Sequence, residues 1–413
     1  MTVRIQKPAV NIREKLAELE RPIGINGQAL LATDTPQQAF DLLGSAGNKN
    51  LIINGDFKIS QRATDSGTIS LITVEGYRIA DRWKDVTYNN SGTFTPQYRI
   101  RQFADHPISG SQGYCLRYDC VTADTPATNV DFLSTFQAIE SNNTINLYNN
   151  YSSVSFWVKS SSPGPYSVQI RASGAVSAST PNLLLKYNIN NSNVWEYKTL
   201  LVPPQNLSLI TGGNGTGYTL HFVLSSGLNK NYDANVATIE NKWALYSSNG
   251  VAFTDQTNLM ATAGNYWQIT NIQLEVGKVA TPFEYRSYGQ ELALCQRYFQ
   301  TIPAQWWWNR TATGTSYSNA TLDSSTIILP VPMRATPTAS RLSDGALFVT
   351  SSTYNSNYST VATRNIRPSV DSNSNGTIIL NLLYNQADNS STNLPTTELF
   401  GNTLQAVAVA SEL

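Results

Sequence analysis

Acyl transfer and proton relay are most often built on histidine, and this chain carries two, His106 and His221. His221 lies in YTLHFVLS, among strand-forming residues, where the expectation is a packed sheet histidine rather than a base. No GxSxG turn is present, and Thr211-Gly212-Gly213-Asn214-Gly215 lacks the lysine that a phosphate-cradling loop needs. Glycoside hydrolysis asks for two carboxylates roughly 5–10 Å apart across a sugar. Asp56, Asp81, Asp119, Asp131, Glu196, Glu240 and Glu275 are available, and nothing in their spacing groups them. Cys115, Cys120 and Cys295 have neither zinc-site spacing nor the density of a disulfide scaffold, so buried free thiols are expected. Cys115 and Cys120 differ by an odd offset and would face opposite sides of one strand, which argues against a bond between them.

Binding chemistry is better represented. Sugars are held by aromatic rings against their apolar faces and by amides and carboxylates on their hydroxyls. Trp306-Trp307-Trp308-Asn309-Arg310 offers both. Three adjacent rings cannot all enter one core, so at least one meets solvent or a neighbouring subunit. The run reads either as a glycan platform or as a subunit interface, where tryptophan is also favoured. Tyr354, Asn355 and Tyr358, in a Ser/Asn-rich loop, form a second candidate or are ordinary surface residues.

The elements that would position these residues follow from composition and periodicity. The 413 residues suggest two or three domains. With 28 basic against 28 acidic side chains, no global field attracts nucleic acid or anionic lipid. Aromatics at 10% and hydrophobics at 41% supply a packed core and exclude a disordered chain. Abundant Asn, Ser, Thr, Gly and Tyr favour strands and turns, so the fold expected is mainly β. The N-terminus has no apolar core of signal-peptide length, and no run of about 18 apolar residues occurs. The expectation is a product made in a cytoplasm without membrane insertion and released as part of a particle.

Ile5, Ile12, Leu16, Leu19 and Ile23, with Ala9, mark one stripe of a short helix. About three turns lie between Asn11 and Pro22, too few to persist alone, so the stripe reads as a self-association or attachment seam, or as a helix docked on its own domain. A second helix is signalled by Asp34-Thr35-Pro36 and stops at Gly44, and residues 45–50 read as a linker. Strands are then predicted at Leu51–Ile53, Ser153–Ser160, Tyr166–Ala172, Trp195–Val202, Thr219–Leu224 and Tyr266–Val276. In SVSFWVKS, Val154, Phe156 and Val158 share one face while Ser155, Trp157 and Lys159 share the other. A switch of hydrophobic phase near Asn271 signals a bulge or a strand that changes sheets. Ser287 is placed to cap a helix with Tyr288, Leu292, Cys295 and Phe299 on one stripe. Beyond it, Thr326–Leu329, Ala346–Thr350, Thr377–Leu383 and Leu404–Val409 read as strands of a smaller β-domain.

NLIINGDFKISQR, from Asn50, and NIQLEVGKVATPFEYRSYGQELALCQRYF, from Asn271, resemble the opening and closing strands of a jelly-roll domain of tailed-bacteriophage tail and fibre proteins. That domain is in turn similar to galactose-binding-like carbohydrate-binding modules. YRIADRW, VSFWVKS and NYWQITNIQLEVG fall between in the expected order, and the leader VNIREKLAELERPIGINGQALLATDTPQQAFDLLG is also similar. The organisation so implied is an attachment or oligomerisation segment over 1–49, an antiparallel jelly-roll β-sandwich over 50–286, a connecting helix over 287–300 and a C-terminal β-domain over 301–413. The resemblance implies a virion appendage without catalytic machinery, commonly homotrimeric, contacting other virion proteins and presenting loops to host glycan. A purely architectural connector and, behind it, a capsule-degrading tailspike are the alternatives. Jelly rolls of this kind often hold calcium near their terminal strands, where Asp56 and Glu275 are the pair to test. Asp81-Arg82 reads as an ion-pairing couple beside Trp83, and Phe283 as a plug closing the sandwich.

Overall fold

A computed structural model of the chain describes residues 49–70, 74–88, 94–108, 113–124, 131–172, 180–207, 212–227, 242–245, 250–302, 308–309, 321–335, 338–341, 348–351, 366–372, 377–384, 397–400, 407–410 and 412. In the strands after residue 302 the backbone alone is described. The helical seam of Ile5, Ile12, Leu16, Leu19 and Ile23 and the helix signalled at Asp34 lie outside these residues.

Alternating apolar residues build two antiparallel sheets that share one core. The six-stranded sheet runs β1 (Asp65–Ser70), β4 (Gln97–Phe103), β5 (Cys115–Thr122), β13 (Tyr266–Val276), β7 (Ser152–Ser160) and β10 (Glu196–Val202). The seven-stranded sheet runs β12 (Ala244–Leu245), β9 (Pro181–Ile189), β8 (Gly164–Arg171), β11 (Thr216–Ser226), β6 (Phe132–Glu140), β3 (Lys84–Tyr88) and β2 (Val74–Gly76). Every strand pairing in these two sheets is antiparallel among the described residues, and the chain is mainly β with a jelly-roll-like sandwich. The helices among the described residues are α1 (Ser141–Thr144) and α2 (Tyr288–Gln296), together with short 3-10 turns.

Rings dominate the space between the sheets. Phe222 from one sheet meets Phe156 and Trp267 from the other at centroid distances of 5.1 and 6.0 Å. Trp267 in turn packs on Tyr118 and donates its indole N–H to the Tyr187 hydroxyl at 3.2 Å, so its one polar atom is satisfied inside the core. Burying each phenylalanine contributes about 1.5–3 kcal/mol. Val154, Phe156 and Val158 are fully buried, as the alternation of SVSFWVKS predicts. In β13 the phase switch is a bulge: register shifts between Thr270 and Gln273, with Asn271 at φ 53°, and Ile272 and Leu274 thereby return to the core that Trp267 and Ile269 occupy. Cys115 and Cys120 take opposite faces of β5, and they and Cys295 are free and buried.

Four local expectations are corrected. Leu51–Ile53 forms no strand: from Leu51 to Gly55 the backbone hydrogen bonds to β13 are Leu51 N–H to Leu274 O and Ile272 N–H to Gly55 O, too sparse for a ladder. Asn54 breaks the ladder, because at φ 57° its side chain takes the Ile59 N–H and donates to the Ile59 and Asp81 carbonyls, offering the backbone an alternative to pairing. Gly55 must be glycine there, since a Cβ would run into the Ile272 carbonyl. Asp81 and Arg82 do not pair with each other. Asp81 turns to Gln61 and Arg62, while Arg82, at φ 72°, reaches Glu412 at 2.7 Å. Phe283 is half-buried, edge-on to Tyr285 at 4.9 Å and outside the core. Phe299 is not on the helix: α2, capped by a reciprocal Ser287–Gln290 box, stops at Gln296, and Phe299 opens β14 (Phe299–Ile302).

β14 pairs with β22 (Val407–Ala410), which also pairs with β17 (Thr338–Arg341). Two further three-stranded sheets are β15 (Trp308–Asn309), β21 (Thr397–Phe400) and β18 (Phe348–Ser351), and β16 (Thr321–Ile328), β20 (Thr377–Tyr384) and β19 (Ile366–Ser372). The end of this region is tied to the sandwich by charge. Glu412 receives Arg62 and Arg82, each at 2.7 Å, its carbonyl accepts from Arg334 at 2.9 Å, and the Arg82 guanidinium lies 3.4 Å from the Tyr298 ring centroid.

Candidate functional site

The face of the six-stranded sheet that points away from the core carries exposed rings beside a network of paired charges. Period-two patterning puts them there. In β7 the residues between Val154, Phe156 and Val158 are Ser155 and Trp157, followed by Lys159. In β10, Tyr197, Thr199 and Leu201 point outward. Before its bulge β13 turns Gln268 and Thr270 to the same side.

Register assembles these residues into rows. Tyr197 opposes Trp157, which opposes Thr270. The Trp157 and Tyr197 rings are 5.3 Å apart and tilted by 48°, and Tyr197 is 44% exposed. The next row, two residues along each strand, is Lys159, Gln268, Arg117 and Arg101. The one after it is Tyr266, Asp119, Arg99 and Thr68. From β10 to β4 the face spans four strand spacings, roughly 19 Å.

Asp105, just past β4, gathers Lys159, the Trp195 indole N–H at 3.2 Å and the Gln268 amide at 3.1 Å. Burial works to raise this carboxyl, but the hydrogen bonds from Lys159, Trp195 and Gln268 and the Lys159 charge outweigh it and hold it below the usual carboxylate range. Asp119 is shared: Arg117 Nε donates to one oxygen at 2.7 Å, and Arg101 Nε and Nη2 donate to the other at 3.0 and 2.7 Å. Both guanidinium groups lie over the Phe103 ring, at 5.0 Å for Arg101 and 4.8 Å for Arg117, and Arg117 also lies 4.0 Å from the Tyr266 centroid. At the sheet edge, hydrogen bonds from Arg99 bring Asp65 down to about 2. Such an arrangement suits the recognition of polyhydroxylated molecules: rings for apolar faces, and fixed donors and acceptors for hydroxyls.

The residues expected from sequence fall elsewhere. Trp306, Trp307, Tyr354 and Tyr358 lie outside the described residues, and Trp308 is described only as backbone of β15, paired with Leu399. Asp56 sits in the turn after Gly55, paired with Lys58 at 2.9 Å. Glu275 accepts from Thr281 N–H, Thr281 Oγ1 and Gln273 Nε2, each at 2.7 Å, so both its oxygens serve the loop after β13. Among the described residues no group of three or more His, Cys, Asp or Glu is placed to hold a metal ion. His221 is buried on β11, stacked 4.4 Å from the Phe136 centroid, with Nε2 2.5 Å from Arg171. Burial first, and then the charges of Arg171 and Lys84, push it well below the ordinary histidine value, and it stays neutral. Sequence reading placed Trp157 and Lys159 on the solvent side without singling them out. The available signal was a tryptophan on the polar face of an alternating strand.

No family model matches the chain, and no curated protein matches it. Solved structures similar to it include the enzymatically active domain of tailspike protein 4 of bacteriophage CBA120, at 11% identity and a TM-score of 0.28, covering 55% of this chain and 22% of that one. The family 11 carbohydrate-binding module from Clostridium thermocellum is similar at 13% identity and a TM-score of 0.26, covering 52% and 98%. A xylan-binding domain from Paenibacillus barcinonensis is similar at 9% identity and a TM-score of 0.24, covering 48% and 87%.

Proposed function

We propose that this chain is a non-enzymatic structural and adhesion protein of a virus particle, a phage tail or neck fibre component. Its residues before 50 attach it to the particle and to its own copies as a homotrimer. Its sandwich holds host glycan on the outer face of the six-stranded sheet. The protein is assembled in the host cytoplasm and is displayed on the particle surface. The observation that carries the glycan reading is the partly exposed Trp157–Tyr197 ring pair beside the fixed polar row of Lys159, Gln268, Arg117 and Arg101. The virion reading is supported by the sequence resemblance over Asn50–Arg62 and Asn271–Phe299. A non-catalytic role is supported by the best-placed carboxylate of this face, since a glycosidase needs one protonated acid, whereas the hydrogen bonds from Lys159, Trp195 and Gln268 hold Asp105 below the usual carboxylate range.

Leu201, Val276 and Val279, 46, 43 and 51% exposed, favour a second reading in which the sandwich makes protein contacts alone. A saccharide array probed with the purified full chain separates the two. Binding that is lost when Trp157 and Tyr197 are both changed to alanine supports the first, and retention of binding in that variant refutes the assignment of the face. Antibody labelling of particles in electron micrographs tests the location, and absence of the chain from the particle surface overturns the virion role.

A further inference from the structure

We infer that the glycan taken by this face is acidic, with a sugar carboxylate seated on Arg101 and Arg117; this rests on reading the face as a glycan site. The whole chain is balanced at 28 positive and 28 negative side chains, but the cluster around Arg101 and Arg117 is not. Arg99 is matched by Asp65 and Lys159 by Asp105, while Asp119 alone serves both Arg101 and Arg117. One positive charge is left over, and it sits on two guanidinium groups that are 25% and 18% exposed.

Their geometry suits a planar anion. Arg117 spends Nε on Asp119, and Arg101 spends Nε and Nη2, so both Nη groups of Arg117 and Nη1 of Arg101 make no hydrogen bond to the described residues. Asp119 fixes the two groups from one side and the Phe103 ring lies beneath both, which orients the unused donors before any ligand arrives. A carboxylate accepts such a fork with two parallel bonds, whereas a hydroxyl takes one weaker bond. Arg117 stands two strands across and two residues along from Trp157, about 12 Å away by strand geometry. The stacked ring and the acid therefore belong to different units of one oligosaccharide.

The test uses immobilised uronate- and sialate-containing oligosaccharides, and the same chains after reduction of their carboxyl groups to alcohols. The full chain is expected to bind acidic members and to lose about tenfold in affinity for the reduced ones. Arg117→Gln should lose the same factor on acidic members, so that it no longer prefers them to reduced ones, and Arg117→Lys should recover part of the preference. Arg101→Gln serves the same purpose if Arg117→Gln does not fold. Equal affinity for acidic and reduced chains, or an Arg117→Gln variant that still prefers acids, overturns the inference. If the Trp157 and Tyr197 changes abolish binding while the arginine changes do nothing, only the acidic preference falls. If no saccharide binds, the glycan face falls with it.

Discussion

Replacing Glu412 by glutamine removes one charge and almost no volume, yet it should unfold the sandwich more readily than any surface change. The Arg82 side chain is 1% exposed, so no water can take the place of the lost carboxylate. What stays includes the hydrogen bond from Nη2 to the Ala138 carbonyl at 2.5 Å, the Tyr77 hydroxyl and the Tyr298 ring at 3.4 Å, while Nε is buried without a partner. Leaving a buried charge uncompensated costs about 3–5 kcal/mol. The lower end applies, since a glutamine oxygen still accepts one bond and Arg62 keeps Asp81 at 3.5 Å. With a urea m-value of about 3 kcal/mol/M, a cost of about 3 kcal/mol moves the unfolding midpoint down by roughly 1 M. Tryptophan fluorescence follows the transition, because Trp83 and Trp267 are core residues. Combining Glu412→Leu with Arg82→Met removes both charges and should restore most of the loss. A single Glu412→Gln variant whose midpoint stays within about 0.2 M of the parent would refute the reasoning.

Stability should fall on mild acidification through His221. Because its folded value is depressed, its contribution is complete above the unfolded value of 6.5 and is lost as the pH drops from there toward the folded one, at no more than about 1.4 kcal/mol per pH unit. Denaturant midpoints at pH 7.5, 6.5 and 5.5 check this, and a flat profile, or an unchanged slope in His221→Gln, contradicts it. Gly55→Ala drives a methyl group into the backbone carbonyl of Ile272, which no side-chain rotation relieves, and should cost about 1–3 kcal/mol; thermal melts at parental stability would show that the Asn54 turn yields.

Local signals carried much of the sandwich. Alternation alone oriented Val154, Phe156 and Val158 inward, the phase switch located the Asn271 bulge, and Ser287 was recognisable as a cap. Those features depend on neighbours within one element, where spacing determines geometry. The Leu51–Ile53 strand failed because its fate is decided by the Asn54 side chain, whose partners Ile59 and Asp81 are brought near by the turn and the tertiary fold. The charged face was hidden for the same kind of reason. Asp105 meets Lys159 from 54 positions away and Gln268 from 163, and Arg82 meets Glu412 across 330. The register of β4, β5, β13 and β7 brings Asp105, Lys159 and Gln268 together, and no periodicity in the sequence encodes that register across loops.

β22 lies between β14 and β17 and is the last of the three in chain order. Neither earlier strand has its neighbour in this sheet until β22 has been made, so the sheet closes in one late step, behind a sandwich whose strands all precede it in the chain.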